Sequence, residues 1–258
     1  MLFKVNASKK TKFLVLINVS ILFVVGISLA VVKRFFPELM NKTEHHKRAS
    51  YFINDGKIHI VVDAGHGGPD PGAINKKTGD LEKNICAMIA AEIVKMADTS
   101  KYTILQTRPG DSNIHRHDRM LMAMEFKTNL LLSIHSNSFF QSQLNGFEVG
   151  FSDSSLNVKD SLSKANPNYT INKQFSDSLS RNIGYVFPQM KNRGIRIRKD
   201  RIWMIYAGNF PCILIEWGYI SNPNDLAIMK DPNAHKLLAQ AIWFTVDKHF
   251  ENNPVKGN

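Results

Sequence analysis

The sequence predicts an α/β fold: a twisted, mostly parallel sheet of about six strands flanked by helices and preceded by one N-terminal hydrophobic helix. Three observations support this prediction. Short apolar strand patterns alternate with longer helical patterns from Lys57 onward, as parallel sheets require. The 258 residues, 43% of them apolar, are enough for one sizeable domain with appendages. An unbroken apolar run near the amino terminus accounts for the additional helix.

The apolar run Phe13–Val32 contains 20 uncharged residues, about the length of a helix that spans a membrane. Its apolar character is continuous rather than confined to one stripe, which argues against a buried core helix. We interpret it as a membrane anchor, and the alternative is a secretory signal segment cleaved after Ala30. Residues 1–12 are then a basic N-terminal segment, and residues 33–52 are a charged linker in which Pro37 stops any helix.

The net charge of +11 is concentrated around this apolar run. Residues 1–50 hold nine Lys and Arg against two Glu, a net of +7, which leaves +4 for the other 208 residues. Basic residues that flank an apolar segment fit an anionic membrane surface better than a nucleic-acid groove. The sequence therefore predicts contact with a membrane through the N-terminal segment and no nucleic-acid partner. With two cysteines in the whole chain, a disulfide framework is not expected.

The remaining pattern predicts one folded domain over residues 53–252, followed by a C-terminal tail at 253–258. The predicted strands are Ile58–Asp63, Tyr102–Thr107, Leu130–His135, Gly146–Phe151, Gly194–Arg198 and Cys212–Trp217. The predicted helices are Leu81–Ala97, Ile114–Phe126, Gln174–Val186 and Asn233–Phe250. Residues 152–172 are polar and rich in Ser and Asn, which predicts a long surface loop.

Three predicted strands end next to a side chain that binds metals or moves protons. The first strand is followed by His66, the third ends at His135 and the last reaches Glu216. Because open α/β sheets gather their ligands beyond the carboxyl ends of the strands, we expect these three groups to converge. Glu82 joins them, since it lies three residues before Ile85 and thus on the inward face of a first helical turn.

Two histidines and one glutamate are suitable zinc ligands, and three protein ligands leave a fourth position for water, as in catalytic sites. Glu216 would then remain available to move protons. Each residue also has a purely structural interpretation: His66 as a turn residue, Glu82 as a partner of the helix dipole, and His135 as a satisfied core histidine. Glu216 is harder to explain structurally, because a carboxylate beside Ile215 at the end of an apolar strand would pay a large desolvation penalty without a partner. Because all the structural interpretations would have to hold at once, we favour a single site.

A second pair of histidines, His115 and His117, lies in the segment HRHDR. Its spacing is similar to the H-x-H motif of barrel amidohydrolases. That motif follows a strand, whereas the turn-forming segment PGDSN precedes this pair, and the chain is short for an eight-fold barrel. We therefore predict that both histidines lie on the surface or in a loop.

Five segments occur in the order found in a known family: VVDAGHGGPDPGA, LEKN, TRPGD, SIHSN and PCILIEWGYISNPND. On these motifs, residues 58–250 resemble the zinc-dependent N-acetylmuramoyl-L-alanine amidases of type 3, which cut bacterial peptidoglycan. The resemblance implies one zinc ion held by His66, Glu82 and His135, with Glu216 as the catalytic acid and base. It also implies peptidoglycan as the substrate and a location outside the cytoplasm, in the periplasm or at the outer face of the membrane. Whether a protein activator exists stays open.

Two further predictions concern the loop around His66 and the substrate groove. Gly65, Gly67 and Gly68 let the backbone turn sharply, so that His66 reaches the metal while a bulky substrate approaches. Trp217 stands where relatives often have a small or aliphatic residue, and we expect it to narrow the substrate groove.

Two other functions stay open at this point. One is an inactive peptidoglycan-binding protein on the same fold, which would be expected to lack a ligand or the acid/base, whereas all four residues are present here. The other is a zinc peptidase that cuts within the stem peptide. Sequence does not distinguish the peptidase, because the ligands define the chemistry whereas the groove selects the bond.

Overall fold

A computed structural model describes residues 55–157, 162–198, 203–206 and 208–255. The predicted membrane anchor or signal segment at residues 13–32 lies outside the described residues, as do the basic segment before it and the linker after it. Among the helices that the structure describes, none combines the length and the apolar character needed to cross a bilayer.

A six-stranded sheet forms the centre of the fold. Its strands are β1 (Ile58–Ala64), β2 (Tyr102–Gln106), β3 (Leu130–Asn137), β4 (Phe147–Ser152), β7 (Asn192–Arg198) and β8 (Cys212–Tyr219). Their order across the sheet is β2-β1-β3-β8-β4-β7. Four of its five strand pairs are parallel, and only β4 and β8 pair antiparallel. The predicted sheet is confirmed, and the predicted strand ends lie within two residues of the observed ones.

Helices cover both faces of this sheet. They are α1 (Glu82–Lys95), α2 (Arg116–Glu125), α3 (Tyr169–Val186), α4 (Trp203–Tyr206), α5 (Pro223–Met229) and α6 (Pro232–Asn252). Helices α1, α3 and α6 pack on one face, and α2 and α4 pack on the other. Neither α4 nor α5 was predicted, because both are short. The start of α5 nevertheless had a signal in the sequence, since Asn222 caps a helix that begins at Pro223.

The apolar core divides into two clusters, one on each face of the sheet. Ile60 and Val62 of β1 belong to the larger cluster, beneath α1, α3 and α6, whereas Val61 belongs to the smaller one beneath α2 and α4. Burial on both faces explains why the central strands read as unbroken apolar runs rather than as alternating patterns.

The segment predicted as a long loop at residues 152–172 is structured instead, so that prediction is wrong. Strands β5 (Ser154–Asn157) and β6 (Leu162–Ala165) form an antiparallel pair, and α3 begins at Tyr169, five residues earlier than predicted. Strand propensity depends strongly on the surroundings of a residue, so a polar segment rich in Ser and Asn gives little local signal for a hairpin.

The topology sets up one functional edge. Because β1, β3 and β8 are adjacent and parallel, their carboxyl ends lie side by side. Strand β4 runs the other way, so its beginning lies beside the end of β8, with Glu148 in register with Glu216. Side chains from four strands therefore meet at this edge.

Candidate metal centre

His66, Glu82 and His135 come together at the carboxyl edge of the sheet, as predicted. Each offers one ligand atom, and these atoms all lie within 4.8 Å of one another. Oε1 of Glu82 is 3.1 Å from Nε2 of His66 and 3.0 Å from Nδ1 of His135. Two imidazole nitrogens and one carboxylate oxygen form a donor set that suits zinc.

The first turn of α1 places Glu82 beneath the two histidines, where the residue is only 4% exposed. Its two carboxylate oxygens also accept backbone hydrogen bonds, at 2.8 Å from Ala73 N and at 3.0 Å from Ser136 N. Burial raises the pKa of this carboxyl, but the hydrogen bonds and charges of His135 and His66 outweigh it and hold the pKa well below its usual range. Glu82 is therefore fixed in place and ionised.

His66 lies in the loop between β1 and α1, in a backbone conformation that few residues other than glycine adopt. Its φ is +61°, and Gly67 and Gly68 follow at +125° and +58°. Asp70 Oδ2 lies 2.8 Å from Nδ1 of His66, so that the ring donates there and presents Nε2 to the cluster. Burial lowers the pKa of His66, but Glu82 and Asp70 outweigh it and raise the pKa to about 9. Asp70 lies within the first motif, yet no role was predicted for it.

Two other glycines of this loop leave space that the ligands occupy. A Cβ atom on Gly65 would overlap the ring of His135. A Cβ atom on Gly72 would lie 2.6 Å from both Oε2 of Glu82 and Cδ2 of His66. Because real Cβ atoms do not approach other atoms so closely, the cluster requires glycine at these positions.

Two buried arginines, which the sequence analysis did not identify, hold the backbone around His66. Arg108 donates to the carbonyl of Gly65 at 2.7 Å. Arg119 donates to the carbonyl of His66 and forms an ion pair with Asp63, with 2.9 Å between Nη1 and Oδ1. Nothing in the local pattern shows that these charges point inward, although Arg108 belongs to the TRPGD segment just after β2.

Glu216 lies on β8 directly beside a ligand, since its register partner on β3 is His135. Its side chain is 14% exposed, and Nη2 of Arg198 donates to its Oε1 at 3.0 Å. Burial raises the pKa of Glu216, whereas the charges of His135 and Arg198 act in the opposite direction and do not cancel the rise. A carboxyl group with a raised pKa is suited to accepting and returning a proton.

Glu148 is a second buried carboxylate at this edge that sequence reasoning missed. It is 5% exposed, lies opposite Glu216 on β4, and accepts from Asn137 Nδ2 at 3.0 Å and from Arg196 Nε at 3.0 Å. Like Glu216, Glu148 stands beside apolar residues of a strand, where a carboxylate needs a partner to offset the cost of burial.

Trp217 does not line the groove, so the expectation that it narrows the groove is wrong. Its side chain is fully buried and packs against Phe187 and Phe147, with ring centroids 4.6 and 6.1 Å away. Successive side chains of a strand point to opposite faces, so Trp217 enters the core on the face of β8 opposite to Glu216. The position after Glu216 therefore affects core packing.

His115 and His117 are exposed, which confirms their prediction as surface residues. Nδ1 of His115 accepts from the backbone N–H of His117 at 3.3 Å, at the start of α2. A helix cap therefore accounts for the first of the two.

Comparison with known proteins identifies the same family that the sequence motifs resemble. The sequence model of the Amidase_3 family, described as N-acetylmuramoyl-L-alanine amidase, matches residues 60–248. The chain is 31% identical over 185 residues to a Staphylococcus aureus protein named "Probable cell wall amidase LytH", covering 71% of this chain and 55% of that protein. The chain thus spans about half the length of the curated relatives it matches.

Two solved structures have a similar fold. One is the catalytic domain of CwlV, an N-acetylmuramoyl-L-alanine amidase from Bacillus (Paenibacillus) polymyxa var. colistinus, with a TM-score of 0.63, 25% identity, and coverage of 75% of this chain and 98% of that one. The other is the CwlD amidase from Clostridioides difficile in complex with the GerS lipoprotein, with a TM-score of 0.63, 26% identity, and coverage of 76% and 100%. Since the family match extends over most of the sequence, the chain belongs to the Amidase_3 family of N-acetylmuramoyl-L-alanine amidases.

Proposed function

We propose that this chain is a zinc-dependent N-acetylmuramoyl-L-alanine amidase. It hydrolyses the amide between the lactyl group of N-acetylmuramic acid and the L-alanine of the peptidoglycan stem peptide. The observation that carries the proposal is the cluster of His66, Glu82 and His135 with Glu216 in register beside it. Family membership and the names of the similar proteins support peptidoglycan as the substrate.

The donor set favours zinc over the alkaline-earth cations. Nε2 of His66, Nδ1 of His135 and Oε1 of Glu82 would hold the ion, and two nitrogen donors suit zinc, whereas magnesium and calcium prefer oxygen donors. Zinc supplies Lewis acidity, which polarises an amide carbonyl and makes water an effective nucleophile near neutral pH.

Residues around the cluster would transfer the proton and hold His66 in position. Glu216 accepts a proton from the attacking water and donates it to the nitrogen of L-alanine, which leaves as a free amine. Asp70 keeps Nδ1 of His66 as a donor and so fixes the direction of its Nε2. Arg108 and Arg119 hold the loop carbonyls, which limits movement of His66.

We also propose that the protein works outside the cytoplasm, attached through residues 13–32 or released after cleavage of that segment. The composition of the segment and the flanking basic residues support this location. Fractionation of cells that produce the full chain, with immunodetection of residues 53–252, distinguishes the two forms. Anchored protein stays in the membrane fraction after a salt wash, and cleaved protein is soluble and shorter by about 30 residues.

Mass spectrometry of fragments released from purified sacculi tests the reaction. The amidase releases stem peptides with a free L-alanine amino terminus and leaves glycan without peptides. Cleavage within the stem would support a zinc peptidase instead, and zinc binding with no release would support an inactive binding protein. Chelation should abolish release, and one equivalent of zinc should restore it.

A further inference from the structure

The edge strand β7 directs three arginines toward the two carboxylates at the functional edge. Nη2 of Arg198 lies 3.0 Å from Oε1 of Glu216 and 3.7 Å from Oε1 of Glu148, so one guanidinium nitrogen contacts both acids. Arg196 Nε is 3.0 Å from Oε2 of Glu148, and Arg193 Nε is 3.8 Å from the same oxygen. The three arginines therefore share two acids, of which only Glu216 lies beside the metal-binding cluster.

Glu148 is suited to be the fixed end of this arrangement. Its side chain is 7% exposed, Asn137 donates to its Oε1 and Arg196 donates to its Oε2, and Arg198 adds an ion pair at 3.7 Å from Oε1. A buried carboxylate with several charge-assisted partners loses little by staying in one rotamer. Glu148 has no contact with the proposed metal ligands among the hydrogen bonds and ion pairs of the described residues.

The side chain of Arg198 passes over the neighbouring strand β4 on its way to Glu216. Its register partner on β4 is Ser152, four residues along the strand from Glu148. The arginine side chain crosses Gly150 on the way, since a Cβ atom there would lie 3.5 Å from both Cγ and Nε of Arg198. Because the stem lies along the sheet, the guanidinium arrives at Glu216 from a defined direction.

We propose that Arg198 is a positioning residue: anchored on Glu148, its guanidinium holds the Glu216 carboxylate beside the His66–Glu82–His135 cluster. The inference rests on the proposed amide hydrolysis, in which Glu216 moves the proton. A glutamate side chain has three rotatable bonds, and proton transfer requires its oxygen within hydrogen-bond reach of the water. A fixed donor removes the conformers that point away from that water.

The charges around Glu216 give this role a measurable signature. It faces Arg198 from β7, Glu148 from β4, His135 from β3 and Glu82 from α1. Burial raises the pKa of Glu216, Glu82 and Glu148 raise it further, and His135 and Arg198 lower it. In the zinc-bound enzyme His135 would be a neutral ligand, whereas Arg198 stays charged and lies 3.0 Å from Glu216, so loss of Arg198 should raise the pKa of Glu216.

Three variants of the full chain test the proposal: Arg198→Met, Arg198→Lys and the matched control Arg181→Met. Arg181 is an exposed arginine on α3 that pairs with Asp177 four residues away. The substrate is a soluble muramoyl peptide, followed from about pH 4 to pH 9 to cover both limbs of the rate profile. Zinc content and thermal unfolding are recorded for each variant. A ¹³C NMR titration of the Glu216 carboxyl, assigned with Glu216→Gln, reports the pKa without needing turnover.

For Arg198→Met we expect kcat to fall roughly 10- to 100-fold with little change in KM, as when an outer partner of a catalytic group is lost. The acid limb of kcat/KM and the Glu216 carboxyl pKa should both move up by about one unit, because an opposite charge within hydrogen-bond distance is gone. Arg198→Lys should restore the acid limb of kcat/KM, because the positive charge remains. It should restore only part of kcat, since one ammonium group bridges two carboxylates poorly. Arg181→Met should match the wild type.

A raised KM with an unmoved acid limb would overturn the inference, because Arg198 would then contact the substrate directly. Wild-type kinetics in Arg198→Met would also overturn it. If the wild type released no stem peptide, the proposed function would fail, and crystal structures of the variants would still decide the inference, because they show where the Glu216 carboxylate lies. A Glu216 carboxylate that leaves its wild-type position in Arg198→Met, but not in Arg181→Met, supports the inference, and an unmoved carboxylate refutes it.

Discussion

His135 and Glu216 are direct neighbours across the parallel pair of β3 and β8, so a proposed metal ligand and the proposed proton carrier share one register position. Their chemical roles nevertheless differ, because only His135 belongs to the set of three ligand atoms within 4.8 Å. Substitutions at the two kinds of position should therefore affect metal binding and turnover differently.

Glu216→Gln should keep the metal and lose turnover, whereas His66→Ala should lose both. The amide of glutamine is close in size to the carboxylate but does not accept a proton. Zinc content measured by atomic absorption, together with release of stem peptides from sacculi, checks both statements. Equal metal loss in the two variants would contradict the assigned roles.

Asp70→Ala should weaken zinc binding, because Nδ1 of His66 loses the acceptor that lies 2.8 Å away. Loss of such an outer partner costs about 10- to 100-fold in metal affinity, and the exposure of Asp70 places the effect near the lower end of that range. Competition against a chromophoric chelator measures the affinity. Asp70→Asn is the matched control, since its amide oxygen still accepts, and an equally large loss there would argue against a role in orienting the ring.

Gly72→Ala should disturb the metal site, and Gly79→Ala should not. Both glycines have positive φ, +64° and +76°, so each alanine costs about 1 to 2 kcal/mol of folding stability in backbone strain. A Cβ atom at Gly72 would also meet Glu82 and His66, whereas at Gly79 nothing lies within 4 Å. Urea unfolding and zinc titration of both variants separate strain from overlap. Unchanged zinc affinity in Gly72→Ala would show that the loop relaxes away from the ligands.

Arg119→Met should destabilise the fold by about 3 to 5 kcal/mol at neutral pH, because it leaves the fully buried Asp63 without its charged partner. Burial raises the pKa of Asp63, but Arg119 and Thr107 outweigh it and lower the pKa below the ordinary value. A lowered folded-state pKa means that the stabilisation is present above the unfolded value of about 3.9 and is lost as the pH falls through the folded value.

The difference in unfolding free energy between the wild type and Arg119→Met should therefore be largest near pH 7 and shrink below about pH 4. Urea unfolding at several pH values measures this difference. A gap that stays constant down to pH 3 would mean that the ion pair between Arg119 and Asp63 contributes little, and that lost packing explains the destabilisation.

Much of the fold and of the candidate site could be predicted because the signals are local. Short strand patterns between longer helical patterns located all six strands of the central sheet, and the central strands were recognisable as apolar runs because both of their faces are buried. His66, His135 and Glu216 stood out because each follows or ends an apolar strand, where a polar group needs a reason. The residues that support them did not stand out: Asp70, Arg108 and Arg119 resemble ordinary loop or helix charges in the sequence.

The sequence by itself determined the alternation of strands and helices and the residue types that could bind a metal, because both follow from local spacing and side-chain chemistry. Only the tertiary structure decided that β4 runs antiparallel to β8, which brings Glu148 and Arg198 to Glu216. Strand order and direction depend on contacts between segments distant in the chain. Arg196 and Arg198 are two residues apart, so strand periodicity puts both on one face of β7. Their acidic partners, Glu148 and Glu216, are known only from the structure.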